Sequence, residues 1–305
     1  VAATELAAWK DLPRIGRLGR LLESDSGTGK VRVLIWEGAL DLISASQPIE
    51  YPNGGDDPLN FLRPILGYGP ESMYVAYNQY YPPELATLEA RNASPDRSHN
   101  ETFDALVITG GLGFVVWQLL YLSVFYYGLT WLGVVKQRRD SIMLIAFWLG
   151  GAVVLTILIV GTLGAEFLGV AIPLGSIVGL VLYLITYAII SRPDDDTRES
   201  DPFAVDRLLL LAMLSGIVAH YVEIHFGIAI AASRVHFFVF VALMAMIGQG
   251  QLVSGKREQV SAAAAAPPVD TTAKKQGRKG RKGKRPAPVT RPAMQGWFSP
   301  SLLAG

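Results

Sequence analysis

The sequence predicts an all-α polytopic membrane protein, about five transmembrane helices preceded by a largely helical, outward-facing loop domain. Three observations predict it. Half of the 305 residues are hydrophobic and only 17% are charged, a membrane-like composition. The apolar residues arrive in long uncharged blocks, 105–135, 141–165, 167–191, 208–222 and 235–253. Most of these reach the roughly 20 residues that a helix needs to cross a bilayer, and a soluble core rarely supplies several such runs in succession.

Residues 1–103 come first and are polar and mixed, with turn clusters at "SDSGTGK" (24–30), "YPNGGDDP" (51–58) and "YYPPE" (80–84). Between them "VRVLIWEGALDLISA" (31–45) sets apolar residues at helical spacing, which predicts an amphipathic helix. "GPESMYVAYNQYYP" (69–82) predicts a second, tyrosine-rich helix that starts after the Gly-Pro break. In "RPILGYGPESM" (63–73), Gly67 and Gly69 are expected at positive φ with Pro70 opening the helix. Such a turn either is purely structural or presents its N–H groups, around Tyr68 and Gly69, to a phosphate or sugar.

Spans are then expected at about 105–135, 141–165, 167–191, 206–224 and 234–253, making 104–255 the membrane domain. Basic residues orient them. "KQRRD" (136–140) after the first span and the Lys/Arg-rich tail after the fifth fall on one side, the cytoplasm by the positive-inside rule. The acidic-basic "SRPDDDTRESDPFAVDR" (191–207) after the third falls there too, with a weaker vote. Residues 1–103 then face outward. From 256 to 305 the chain has eleven Lys/Arg against two Asp/Glu and low-complexity runs, the composition of a disordered cytoplasmic tail. Binding to anionic lipid and a role as a solvated linker both fit that tail. Cysteine is absent, which removes disulfides and thiolate metal sites. The chain opens at Val1 without a basic segment leading into an apolar one, so membrane helices upstream of Val1 are expected, and a further domain beyond "MQGWFSPSLLAG".

The chemistry-bearing stretch is "SPDRSHNETFDALVITGGLGF" (94–114). Ser98 stands three residues before Glu101, a capping-box pattern that predicts a helix start at Ser98 with His99 in the first turn. Gly110 and Gly113 lie 11 and 14 residues after His99, close to three and four turns, so both are expected on its face as small residues that admit a neighbouring helix. A helix amino end favours an anion and disfavours an imidazolium, which suits a neutral imidazole acting as base or hydrogen-bond donor beside a diphosphate. A plain surface histidine fits the same residues. Arg97 and Asp96 either orient His99 and bind phosphate or pair with each other in solvent. Arg32 offers a fork of donors suited to phosphate oxygens, or else snorkels or pairs with Glu37. Trp36, four residues on, reads as packing. Arg14, Arg17 and Arg20 fit a basic interfacial helix.

"HNETFDALVITGGLG" resembles the His-Asn, nine residues, Gly-x-x-Gly signature of the O-antigen ligase and polymerase superfamily, with His99, Asn100, Gly110 and Gly113 matching in type and spacing. "VRVLIWEGALDLI" is similar to that family's Arg-x-x-x-Trp helix, and "RPILGYGPESM" to its Arg-Pro-(apolar)-Gly-x-Gly-Pro turn. The resemblance covers roughly residues 15–135. It implies a multi-spanning glycosyltransferase of the bacterial plasma membrane that takes a glycan from an undecaprenyl diphosphate carrier to a glycan, lipid or protein acceptor hydroxyl. No cofactor, metal or nucleic acid is implied. His99 would be the catalytic histidine and Arg32 the diphosphate ligand, with Asn100, Arg97, Tyr68 and Gly69 at the substrate and Gly110 and Gly113 packing the helix. The family's second arginine would lie before Val1.

His220, Glu223 and His225 in "AHYVEIHFG", followed by Arg234 and His236, form a second polar group. A regular helix sets 225 about 140° from 223, so a polar cavity edge is expected there rather than zinc. "DDPLN" (56–60) and "PDDDTRESD" (193–201) lack calcium-loop spacing, and the sequon at Asn100 is discounted because that residue belongs to the His-Asn motif. Two other functions compete. A transporter or channel subunit would place unwound or polar elements at mid-membrane depth, for which Gln118 and "PLGSIVG" (173–179) are the candidates, without an internal repeat to support them. An inactive membrane scaffold would share the fold and differ only in activity.

Overall fold

The computed structural model describes residues 27–51, 53–91, 93–190 and 204–265. It divides the chain into two compact units, 1–259 and 260–305, and all that follows concerns the first. The predicted second part of the basic tail, the acidic loop 193–201, Arg14, Arg17 and Arg20 lie outside the described residues.

Helix α1, Gly27–Ser44, follows the "SDSGTGK" turn and matches the predicted amphipathic segment. Its buried face carries Leu34, Ile35, Trp36, Ala39 and Leu42, and Ala45, at φ 46°, ends it in a left-handed turn. The chain then runs through short pieces: a 3₁₀ turn Asn60–Leu62, α2 Arg63–Leu66, α3 Met73–Ala76 continuing as a 3₁₀ turn Tyr77–Tyr80, and α4 Leu85–Leu88. The single helix expected over 69–82 therefore begins later and tightens midway. Gly67 and Gly69 do take positive φ, 73° and 100°.

Five helices are long and apolar enough to cross a membrane, which makes this a multi-pass membrane protein: α5 Glu101–Trp131, α6 Arg138–Leu163, α7 Leu168–Ile190 with a 3₁₀ turn Ala165–Phe167 before it, α8 Ala204–Glu223 and α9 Ala231–Ala265. The uncharged blocks located each to within a few residues. Asp140 starts α6 through a capping box with Gln137. α6 and α7 pack closely on glycine: a Cβ at Gly151 would lie 2.3 Å from the Gly175 carbonyl oxygen. α7 runs on through Pro173 as helix, so "PLGSIVG" is not unwound.

Two cores result. One binds the spans through Tyr121, Phe125, Trp148, Tyr183, Leu210 and Tyr221, with ring pairs such as Tyr121–Tyr221 at 4.6 Å. The other joins α1, α3 and α4 to the first turns of α5 through Trp36, Tyr77, Leu85, Phe103 and Val107. This second core, among short elements with many turns, positions the His-Asn segment.

α5 is not one straight helix. Gly110 takes φ 64° and ψ −171°, outside the helical region. The portion beyond it, 111–131, is 21 residues (131 − 110), about 31 Å at 1.5 Å per residue, enough to span by itself. The break frees the carbonyls of Val107 and Ile108, and the 67–69 turn takes them: Tyr68 N–H donates to Val107 O at 2.8 Å and Gly69 N–H to Ile108 O at 3.0 Å. The two backbones touch through glycine on both sides. A Cβ on Gly110 would meet the Ile65 carbonyl at 2.3 Å, and one on Gly67 would meet the Ile108 carbonyl at 2.5 Å.

Candidate functional site

The segment 97–104 does not begin as the capping-box pattern predicts. Asn100, not Ser98, is the N-cap, its side-chain oxygen accepting from Thr102 N–H and Phe103 N–H. Helix α5 starts at Glu101, so His99 precedes the helix instead of sitting in its first turn. Ser98 turns to Asp104: Ser98 N–H lies 2.8 Å and Ser98 Oγ 2.7 Å from the same carboxylate oxygen, Oδ1. The physical reason is competition for donors: a buried carboxylate attracts the Ser98 hydroxyl more strongly than a neutral backbone group would.

His99 itself has φ 57°, the left-handed region, which costs a non-glycine residue on the order of 1–3 kcal/mol and persists only where surroundings enforce it. Here both neighbours are pinned. The Trp36 indole N–H donates to the Ser98 carbonyl at 2.9 Å. Asn100 is fully buried and uses its whole hydrogen-bonding capacity: besides its two cap bonds, its Nδ2 donates to Gly169 O and to His225 O, both at 2.9 Å. The imidazole between these clamps is half-buried and makes no hydrogen bond with the described residues.

The remaining expected site residues are distributed as follows. Arg32 is half-buried on α1 and makes neither the ion pair with Glu37 nor any other with the described residues. It stands one turn before Trp36, hence on the helix face that meets the His99 loop. Arg97 pairs with Glu71, not Asp96, tying the His99 loop to the residue after Pro70. Tyr68 donates its hydroxyl to Leu42 O, and burial pushes its pKa up to about 12, so it stays a donor. Gly69 spends its N–H on Ile108 O, and Tyr68 its own on Val107 O, so the turn presents no free N–H from either residue to a ligand. Asn100 is likewise a structural keystone. Gly110 does meet a neighbour closely, but that neighbour is a turn, and the residue breaks the helix. A Cβ on Gly113 would meet Thr109 of its own helix, at 2.1 Å. The shared glycine face drawn for a straight helix is lost at the Gly110 break.

Arg63, in the same turn motif, pairs with Asp57 at 2.6 Å and lies over the Tyr68 ring at 5.1 Å. Its guanidinium holds the Asp57 carboxyl below the usual carboxylate range. In the second polar group, His220 approaches Glu223 to 3.7 Å, while His225 turns into the bundle against Trp117 and Tyr221, so the three diverge. Arg234 grips Glu101 with both carboxylate oxygens at 2.8 and 2.9 Å, and Ile224 O accepts the Glu101 N–H at 3.0 Å. Among the described residues, no three His, Cys, Asp or Glu side chains converge as a metal set.

Sequence reasoning missed Asp104, the Trp36 bond to Ser98 and the Glu101–Arg234 pair. The first carried a signal: an acidic residue one turn inside an apolar helix, just after a serine-containing turn. The other two join residues 62 and 133 positions apart, which no local pattern carries. Comparison with family models, curated proteins and solved structures finds no match for this chain.

Proposed function

We propose that this protein is a membrane glycosyltransferase of the O-antigen ligase type, moving a glycan from an undecaprenyl diphosphate carrier to an acceptor hydroxyl on the outer side of a bacterial plasma membrane. The observation that carries the reading is the His99 backbone: a left-handed histidine, clamped through both neighbours, whose half-buried ring has no protein partner among the described residues. Strain maintained by so many hydrogen bonds is a hallmark of a presented functional group. The sequence motifs around His99, Arg32 and the Gly-x-Gly-Pro turn add the chemistry.

In the reaction, the acceptor hydroxyl gives its proton to the imidazole while its oxygen bonds to the anomeric carbon. The bond from that carbon to the diphosphate oxygen breaks, and its electron pair leaves on the diphosphate. Arg32, uncommitted to any described carboxylate, is the group that meets that charge. The proton passes from the imidazolium to water or to the departing diphosphate, returning His99 to its neutral form.

The test is His99→Ala in the full protein, in a cell lacking its own copy. Surface glycan should be lost and carrier-linked glycan should accumulate while the protein remains inserted. Normal surface glycan would overturn the proposal.

A further inference from the structure

Asp104 is a carboxylate only 3% exposed at the start of an apolar helix, and burial of a charge there demands a reason. Ion pairing does not supply it. The nearby cations are committed elsewhere, Arg97 to Glu71 and Arg234 to Glu101, and Asp104 has no ion pair with the described residues. What Asp104 does hold is Ser98, whose N–H and hydroxyl both reach its Oδ1. The same hydroxyl lies 2.8 Å from Asn100 O and accepts the Asn100 N–H at 3.2 Å, so it links the residues on either side of His99. Three charged groups act on the carboxylate from its surroundings: Arg97, His99 and Glu101.

We infer that Asp104 is the positioning residue for His99, fixing Ser98 so that the histidine is kept in its left-handed conformation with its ring aimed at the acceptor hydroxyl. This rests on the glycosyl-transfer reading. Without the carboxylate, the Ser98 N–H is left buried without its acceptor and nothing opposes relaxation of His99 to negative φ, which swings the imidazole to another direction. Oδ1 of an asparagine can accept the same two hydrogen bonds, so geometry predicts which substitution is tolerated.

The experiment is steady-state kinetics of the purified full protein with lipid-linked donor and acceptor, for Asp104→Ala, Asp104→Asn, His99→Ala and the Asp104→Ala/His99→Ala double variant. Asp104→Ala should lower kcat about 100-fold, the scale of a misplacement of roughly 1 Å in a reacting group, with the donor KM within about twofold of wild type. Asp104→Asn should restore most of that kcat. In the His99→Ala background, Asp104→Ala should cost nothing further, because a residue that acts through His99 has no effect once the imidazole is gone.

An equal loss with and without His99, or wild-type kcat in Asp104→Ala beside an inactive His99→Ala, would overturn the inference and leave the transferase reading standing. Full activity in His99→Ala would instead remove the transferase role of His99 and this inference with it. If Asp104→Ala does not fold, Ser98→Ala breaks the same side-chain link while keeping the buried charge. It should show the same kcat-specific loss and the same dependence on His99, and wild-type kcat there would likewise overturn the inference.

Discussion

Gly110→Ala tests the least expected feature of the fold, the lock between the 63–69 turn and the broken helix α5. At φ 64° and ψ −171° the position lies in a region essentially reserved for glycine, and an alanine there costs about 1–3 kcal/mol in backbone strain alone. The added methyl would also sit 2.3 Å from the Ile65 carbonyl carbon and oxygen and 2.6 Å from Gly67 N, all backbone atoms that cannot swing aside. Relief requires the turn to withdraw, which breaks the Tyr68–Val107 and Gly69–Ile108 hydrogen bonds, each worth about 0.5–1.5 kcal/mol net. The sum is about 2–6 kcal/mol, a large share of the 5–15 kcal/mol that keeps a typical domain folded. Gly150→Ala is the matched control, since nothing lies within 4 Å of a Cβ there and the position is ordinary helix. Thermal unfolding of the detergent-solubilised variants, followed by near-ultraviolet circular dichroism, reads the difference. Gly110→Ala should melt well below wild type and Gly150→Ala close to it. Equal melting temperatures for the two alanine variants would refute the lock.

Asn100→Asp separates a cap from a keystone. As an N-cap, aspartate equals asparagine, but it has no donor for Gly169 O and His225 O, so two buried carbonyls lose their partner at about 1–3 kcal/mol each. A clear fall in folded yield and melting temperature is expected, and wild-type stability would reduce Asn100 to a cap. His225 sets an acid limit. Burial first of all, with the His220 charge adding, pushes its pKa down to about 4 against the opposing hydrogen bond to the Tyr221 carbonyl. The unfolded chain therefore binds a proton from about pH 6.5 downward that the folded chain refuses until about pH 4. Stability from this group should be complete above pH 6.5 and decline across that window, and a His225→Phe variant should show a flatter melting temperature against pH over the same range.

The five spans and α1 were legible because length, apolar content and absence of charge are properties of a contiguous stretch, and a bilayer or a helix face reads them directly. The positive φ of Gly67 and Gly69 was legible for the same local reason, glycine beside proline. Tertiary structure decided the rest of the site. Ser98-x-x-Glu101 is a sound local cap, yet Asn100 became the cap once Asp104 had captured Ser98 and two carbonyls from 69 and 125 residues away had claimed the Asn100 amide. Gly110 reads locally as a small residue on a packing stripe. It became a helix break because a turn more than 40 residues earlier offers donors for the carbonyls the break releases. Hydrogen bonds between distant segments cost ordering entropy that only the assembled core offsets, so their partners are selected after the elements form. What the chain determined was which elements exist; which way His99 points was decided by where those elements meet.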